Sequence, residues 1–433
     1  MSRYLFVVPP LSGHINPAAE VAAELTARGH TVAWAGRPGI IGRLVGEEAE
    51  VYVCAGPDGL HGRPPELRGV AALQFLWRDF FVPLADAMAE GVTAAVDHFR
   101  PDVVVSDQQA LAGALVAERL GVPYATSATT SAELTDTLGQ MPSVAAWLSE
   151  LLAGARARLG DPAATGDPRF SPYLTLAFTT PEFLGAAHQP RQGLRFVGPA
   201  LPGRPGYGDF PWEWLNRQPD AALVLVTLGT VNQDAGARFL TETAAALRER
   251  SDRLRAVVAD PGGALAAADT GPTVLVRPFV PQRALLGHVS AVICHAGHNT
   301  VAETLWHGVP LVVAPIRDDQ PVVARQVVDA GAGVRLRFGR AGRAQIGAAL
   351  DTVLTEPRHH GAARRLRASF HRAGGAGAAA EHLEELARNP TRHPPAQATS
   401  PAQAPPGQAA PAPAPPGQAP PAQEEGTPHG SHY

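Results

Sequence analysis

The 433-residue chain contains no lysine; all 36 residues of its Lys+Arg count are arginine. That absence removes whole reaction classes. No Schiff-base amine is available and no Gly-Lys-Ser/Thr phosphate loop can form, which excludes pyridoxal-phosphate enzymes and P-loop nucleotide hydrolases. With abundant Ala, Gly and Pro it indicates a GC-rich coding sequence rather than a function. Cysteine is scarce: Cys54 and Cys294 both lie in strand-like runs and read as buried free thiols of a reducing compartment. No run approaches the roughly 20 apolar residues of a membrane span. The run Tyr4–Val8 stops at Pro9-Pro10, too short for the apolar core of a signal peptide, so a cytoplasmic protein without a membrane span is expected. The formal net charge is −4, so no basic surplus points to nucleic acid. There is no His-Glu-x-x-His, Cys-x-x-Cys or Asp-x-Asp pattern, and neither a metal nor a bound cofactor is expected. Gly375-Ala376-Gly377 with Ala380 fits a dinucleotide fingerprint by letter, but it follows a helical stretch and is rejected.

What the chain does have is alternation. Strand-like runs at Tyr4–Val8, Thr31–Ala35, Val51–Cys54, Asp102–Ser106 and Tyr124–Ser127 are separated by helical patterns, including Pro17–Arg28, Phe75–Ala95 and Ala110–Leu120. The segment Leu11–Asn16 reads as the loop after the first strand, and Gly36-Arg37-Pro38-Gly39 as a turn. After the Pro- and Gly-rich stretch from Pro199 to Phe210 the pattern restarts, with strands at Ala222–Thr227, Arg255–Val258, Val274–Arg277, Ala291–Cys294 and Leu311–Ala314. The expected class is α/β: two doubly wound, Rossmann-like domains with parallel sheets. We assign residues 1–205 to the first, 206–218 to a linker, 219–374 to the second, 375–388 to a closing helix and 389–433 to a tail. The tail is Pro, Ala, Gln and Gly with APPGQA twice; it cannot bury a core and is expected to be disordered.

The stretch His295–Gln320 carries the strongest chemical signal. A strand, Ala291–Cys294, delivers the chain to small and polar residues that open a helix, and such an N-terminus is an anion site. Glu303 sits one turn in, within reach of a ribose hydroxyl, and Asp319 and Gln320 end the next strand, where an α/β sheet presents its ligands. The residues His295, Gly297, Asn299, Thr300, Glu303, Pro315, Asp319 and Gln320 match, at every spacing, the nucleotide-sugar signature of the family 1 glycosyltransferases. The chain is therefore identified as resembling that family, with its plant, macrolide and carotenoid members. One departure is His298, where the family usually has an aromatic residue.

The resemblance extends to three further places. Gly13-His14-Ile15-Asn16-Pro17 is similar to the family's N-terminal motif, whose histidine is the general base. By itself His14 is a loop histidine, as readily structural or solvated as catalytic. Asp107 ends the fourth strand; it can orient His14 or cap the helix that follows. Thr227-Leu228-Gly229-Thr230 is similar to a phosphate-contacting turn, with Gly229 and Thr230 as candidates. Phe279-Val280-Pro281-Gln282 resembles the segment in which an aromatic ring or the adjacent backbone holds the base, and Gln282 the base or ribose. Phe279 as plain core is the competing reading.

The resemblance implies the GT-B arrangement, two such domains facing a cleft. It implies an inverting, metal-independent transfer from a UDP- or dTDP-sugar, a co-substrate rather than a cofactor, to a hydroxyl of a lipophilic natural product. Phe75, Trp77, Phe80 and Phe81 either line the acceptor pocket or form core. His359-His360 reads as a solvated helix end. The expected partners are the donor and the small-molecule acceptor, with the protein a monomer or homodimer. Two other readings stand beside this one: a GT-B sugar-nucleotide epimerase, and a non-catalytic transferase-like helper protein.

Overall fold

A computed structural model of the protein describes residues 1–60, 62–64, 66–187, 190–201, 210–215, 220–229, 236–266 and 271–389. Thr230, the tail from 390 on, and residues 206–209 and 216–218 of the expected linker lie outside the described residues. Among the described residues, thirteen strands form two wholly parallel sheets. The first contains β1 (Arg3–Val7), β2 (Thr31–Gly36), β3 (Val51–Val53), β4 (Val103–Asp107), β5 (Tyr124–Ala128), β6 (Leu174–Ala177) and β7 (Leu194–Phe196), in the order 3-2-1-4-5-6-7. The second contains β8 (Ala222–Thr227), β9 (Leu254–Ala259), β10 (Val274–Arg277), β11 (Ala291–Cys294), β12 (Leu311–Val313) and β13 (Gly333–Arg335), in the order 10-9-8-11-12-13. Helices cover both faces of each sheet, so the central strands are buried throughout: Val103–Asp107 and Tyr124–Ala128 are buried at every position, their polar residues included.

Each sheet reverses its strand order once, between β1 and β4 and between β8 and β11. Open parallel sheets bind ligands at the carboxyl ends of the strands flanking such a reversal. His14 and Asp107 follow β1 and end β4; Gly229 and His295 follow β8 and β11. The closing helix, Gly375–Arg388, packs Ala379, Leu383 and Leu386 against the first sheet and its first helix, in one core with Ile15, Ala18 and Val21.

Several local elements differ from the sequence reading. The first helix is Ser12–Ala27, so Leu11–Asn16 is not a loop and Pro17 lies inside the helix. A proline there withholds one intrahelical donor, but near the N-terminus its carbonyl partner can be satisfied from elsewhere. Pro38 opens a helix, Pro38–Val45, rather than closing a turn, because its fixed φ suits the first helical position. The aromatic run Phe75–Phe81 is a π-helical turn leading into the helix Val82–Phe99. His359 is buried, not solvated, and its Nδ1 lies 2.8 Å from the carbonyl of Gly331.

Candidate active site

The two reversal points face one another across a cavity of about 1240 Å³. On the first-sheet side, His14 occupies the first turn of the helix Ser12–Ala27 and is 15% exposed. Its Nδ1 lies 3.0 Å from both carboxylate oxygens of Asp107, whose side chain is fully buried. A carboxylate only accepts hydrogen bonds, so Nδ1 carries the proton and Nε2 is left bare. Asp107 is held in turn: Gln109 N–H donates to Oδ1 at 2.8 Å, and Thr129 Oγ1 donates to Oδ2 at 2.9 Å. Asp107 therefore orients His14 and braces the turn after β4 together. Burial works against charge on His14, but the charge and hydrogen bond of Asp107, aided by Asp319 and Glu133, outweigh it and raise its pKa above 6.5.

On the second-sheet side, β11 ends at Cys294, His295 follows it, and the chain turns through Ala296, a non-glycine residue at φ 64°. Gly297 then caps the helix His298–Trp306, whose first-turn residues His298, Asn299 and Thr300 line the cavity. The His295 ring is wedged beside Gly229; a Cβ at Gly229 would lie 2.7 Å from its Cε1, and the backbone there has φ +71°. Both observations require glycine. Burial pushes the pKa of His295 down to about 4, partly opposed by the Thr227 backbone and the charge of Asp318, so the imidazole is neutral near pH 7. Its Nδ1 is buried and has no partner among the described residues.

Gln282 begins a short helix after β10 and donates through Nε2 to Glu303 at 2.6 Å. Glu303 is buried, which raises its pKa; Gln282 and Arg283 offset this in part. Phe279 is 75% exposed and Val280 stands beside it, both on the cavity wall, so the core reading of Phe279 does not hold. Asp319 accepts a hydrogen bond from Thr130 Oγ1 at 2.7 Å across the cavity. Gln320 spends its carbonyl oxygen on the backbone N–H groups of Ile316 and Arg317, at 2.9 and 3.1 Å. Thr300 and Asn299 both line the cavity, and Asn299 Nδ2 reaches the Gly13 carbonyl. His298 is buried with Nε2 3.3 Å from the carbonyl of Phe178, and burial pushes it down to about 4.

Of the four aromatics proposed for the acceptor, Trp77 and Phe81 line the cavity, and their rings lie 5.1 Å apart. Phe80 and Phe75 do not reach the cavity wall, so neither is an acceptor-side residue; Phe80 packs in the same core as Trp77 and Phe81, the other reading expected for it. The π-helical turn sets which ring faces which way. Sequence reasoning also missed Thr129, Thr130, Glu133, Arg169 and Arg191, which line the same space. The only signal for the two threonines was their place after β5, beside the strand that carries Asp107.

Comparison with known proteins places this geometry. Residues 202–373 match the family described as UDP-glucoronosyl and UDP-glucosyl transferase. The chain is 31% identical over 408 residues to a 4'-demethylrebeccamycin synthase of Lentzea aerocolonigenes, covering 85% of this chain and 96% of that protein. It is 29% identical over 415 residues to a demethyllactenocin mycarosyltransferase of Streptomyces fradiae, covering 89% of this chain and 87% of that one. Among solved structures, the glycotransferase of kitacinnamycin superposes with a TM-score of 0.71 at 26% identity, covering 89% of this chain and 98% of that one.

Proposed function

The chain belongs to the UDP-glucuronosyl and UDP-glucosyl transferase family, and from that premise we propose an inverting, metal-independent transfer of a sugar to a hydroxyl of a lipophilic small molecule. The protein is a GT-B glycosyltransferase of the natural-product type, using a nucleotide-sugar donor. The observation that carries the mechanistic reading is the placement of the His14–Asp107 pair and the His295 turn on opposite walls of one cavity.

In this reading His14 Nε2 removes the proton of the acceptor hydroxyl as the oxygen attacks the anomeric carbon. The new O–C bond forms on the face opposite the departing diphosphate, whose bond to that carbon breaks, and the configuration inverts. Asp107 stabilises the imidazolium that results. The charge leaving on the diphosphate is met by His295, Thr300, the N–H groups at Gly297 and the start of the following helix, with Gly229 admitting the phosphate closely. Thr230 belongs to the same proposed group by its place in the sequence. Asn299 ties this turn to the helix that bears His14. Asp319 and Gln320 hold sugar hydroxyls, Glu303 and Gln282 the ribose, and Phe279 with the Val280 backbone the base. Trp77, Phe81, Leu73, Leu76 and Leu148 give the acceptor side an apolar wall, which supports a lipophilic acceptor. The names of the two antibiotic-pathway relatives point the same way.

The test is calorimetric titration with UDP and with dTDP, without added metal and with AMP as control, followed by turnover of His14→Ala. Tight binding of one diphosphate, with turnover abolished and binding kept in the variant, is expected. Wild-type turnover in His14→Ala would refute the mechanism; no binding of either diphosphate would refute the donor site.

A further inference from the structure

Two guanidinium groups stand together on the acceptor side of the cavity, Arg169 and Arg191, with their Cζ atoms 5.6 and 3.9 Å from the centre of the Phe170 ring. They differ in one respect. Arg169 is neutralised twice, by Asp167 at 2.7 Å and by Glu133 at 3.3 Å. Arg191 has no carboxylate within ion-pair distance among the described residues, and its Nε is buried without a hydrogen-bond partner. A partly buried cation with an unmet donor is unfavourable unless something from outside completes it. The cavity is the open side from which such a partner can come: Arg191 lines it, and the neighbouring carboxylates are committed to Arg169.

The position relative to the base is also set. Glu133, which holds Arg169, accepts a second hydrogen bond from Gln109 Nε2 at 3.1 Å. The Gln109 backbone donates to Asp107, the partner of His14. A continuous polar wall thus runs from the base to the arginine pair, facing the apolar wall of Leu76, Trp77 and Phe81. A planar guanidinium in such a setting matches a carboxylate, which accepts two parallel N–H bonds. A hydrophobic surround strengthens that pairing.

We propose that Arg191 is an anion-recognition residue of the acceptor site, and that the acceptor carries a carboxylate in addition to the hydroxyl it presents to His14. This rests on the reading of the cavity as a glycosyltransferase acceptor site. Arg191 acts on binding and specificity, not on the chemical step.

Two matched pairs of fluorescent hydroxyarenes test it: 7-hydroxycoumarin against 7-hydroxycoumarin-3-carboxylate, and 2-naphthol against 6-hydroxy-2-naphthoate. Each is titrated by fluorescence into full-length protein saturated with UDP or dTDP, whichever binds. The carboxylate of at least one pair is expected to bind about tenfold tighter than its neutral partner. Arg191→Gln abolishes that preference and leaves the neutral compound and the diphosphate unaffected, while Arg191→Lys keeps part of it. Equal binding within both pairs, a preference that survives Arg191→Gln, or no binding of either carboxylate overturns the proposal. Diphosphate binding in the same samples reports on folding and on the donor site. Its loss in wild type would therefore count against the functional reading rather than against Arg191.

Discussion

Asn299 Nδ2 donates to the Gly13 carbonyl at 2.7 Å, and that carbonyl is free because Pro17, four residues on, has no N–H to give it. A proline inside a helix normally leaves an orphaned acceptor. Here the acceptor is met by a side chain from the opposite wall of the cavity, so the turn after β11 and the helix that bears His14 are tied at one atom. Asn299→Ala should lower kcat/KM and reduce stability by about 0.5–1.5 kcal/mol. Pro17→Ala supplies an intrahelical donor that competes for the same oxygen. In that background Asn299→Ala should therefore do less, and a double-mutant cycle in kcat/KM measures the difference. Strict additivity would show the bond to be idle.

The acid limb of the pH–rate profile should report His14. The residue works as a base only when neutral, so kcat/KM falls as pH drops through its pKa. Asp107 holds that pKa above 6.5, and the limb should lie above 6.5 accordingly. The same shift has a stability consequence of definite sign. A raised folded-state pKa favours the folded protein below the unfolded value near 6.5, and the gain disappears as pH rises through the folded-state pKa. Asp107→Asn should move the limb to lower pH and reduce kcat about 100- to 10,000-fold. A limb that stays put in the variant would detach Asp107 from the base.

His295 rests neutral with its pKa near 4, and a diphosphate brought against it must raise that value. Diphosphate binding near pH 6 should then draw a proton to the imidazole. Calorimetry in buffers of different ionisation enthalpy reads this uptake, and His295→Ala serves as the baseline for the phosphate's own protonation. The variant should also lose about tenfold or more in diphosphate affinity. Identical proton linkage in wild type and variant would remove His295 from the phosphate site.

Gly229→Ala tests the close packing of the same turn. The added Cβ would meet the His295 ring at 2.7 Å from a backbone at φ +71°. The left-handed conformation alone costs a non-glycine residue about 1–2 kcal/mol. Thermal stability should fall modestly and diphosphate affinity more than tenfold, since the ring is displaced from where it works. Affinity at the wild-type level would show that the ring can shift freely.

Phe279 offers a cleaner separation of binding from folding, because it is 75% exposed. Phe279→Ala should change stability by less than about 0.5 kcal/mol. If the ring stacks on the base, nucleotide affinity should still fall by roughly 1–3 kcal/mol. Unchanged affinity would return Phe279 to the status of an incidental surface aromatic.

Most of the sheet architecture could be read from the chain, and the π-helical turn shows where that reading stopped. Phe75, Trp77, Phe80 and Phe81 are evenly matched in composition and spacing, so nothing local says which of them reaches the cavity. Trp77, Phe80 and Phe81 all pack into one core, and only Trp77 and Phe81 also present an edge to the cavity. Pro17 misled for a related reason. Proline marks a helix start on average, but this helix starts five residues earlier, at Ser12, because Asn299, 286 positions away, satisfies the carbonyl it strands. His359 was read as solvated from its neighbours in sequence, whereas its burial is set by Gly331 across the fold.

The amino-acid sequence by itself determined the alternation of strand and helix, and the residues at the strand ends near the two reversals. Both are consequences of short-range periodicity and turn chemistry, which each segment carries with it. Tertiary structure alone decided which of those residues meet. Thr130 with Asp319, Arg63 with Asp318 and His14 with Asp107 are pairs separated by 189, 255 and 93 positions. Burial decided the rest: it leaves His295 neutral while Asp107 raises the pKa of His14, although both are histidines that follow a parallel strand. The physical reason is one of range. A backbone pattern is set by neighbours along the chain, but an electric environment is set by whatever the fold places within a few ångströms.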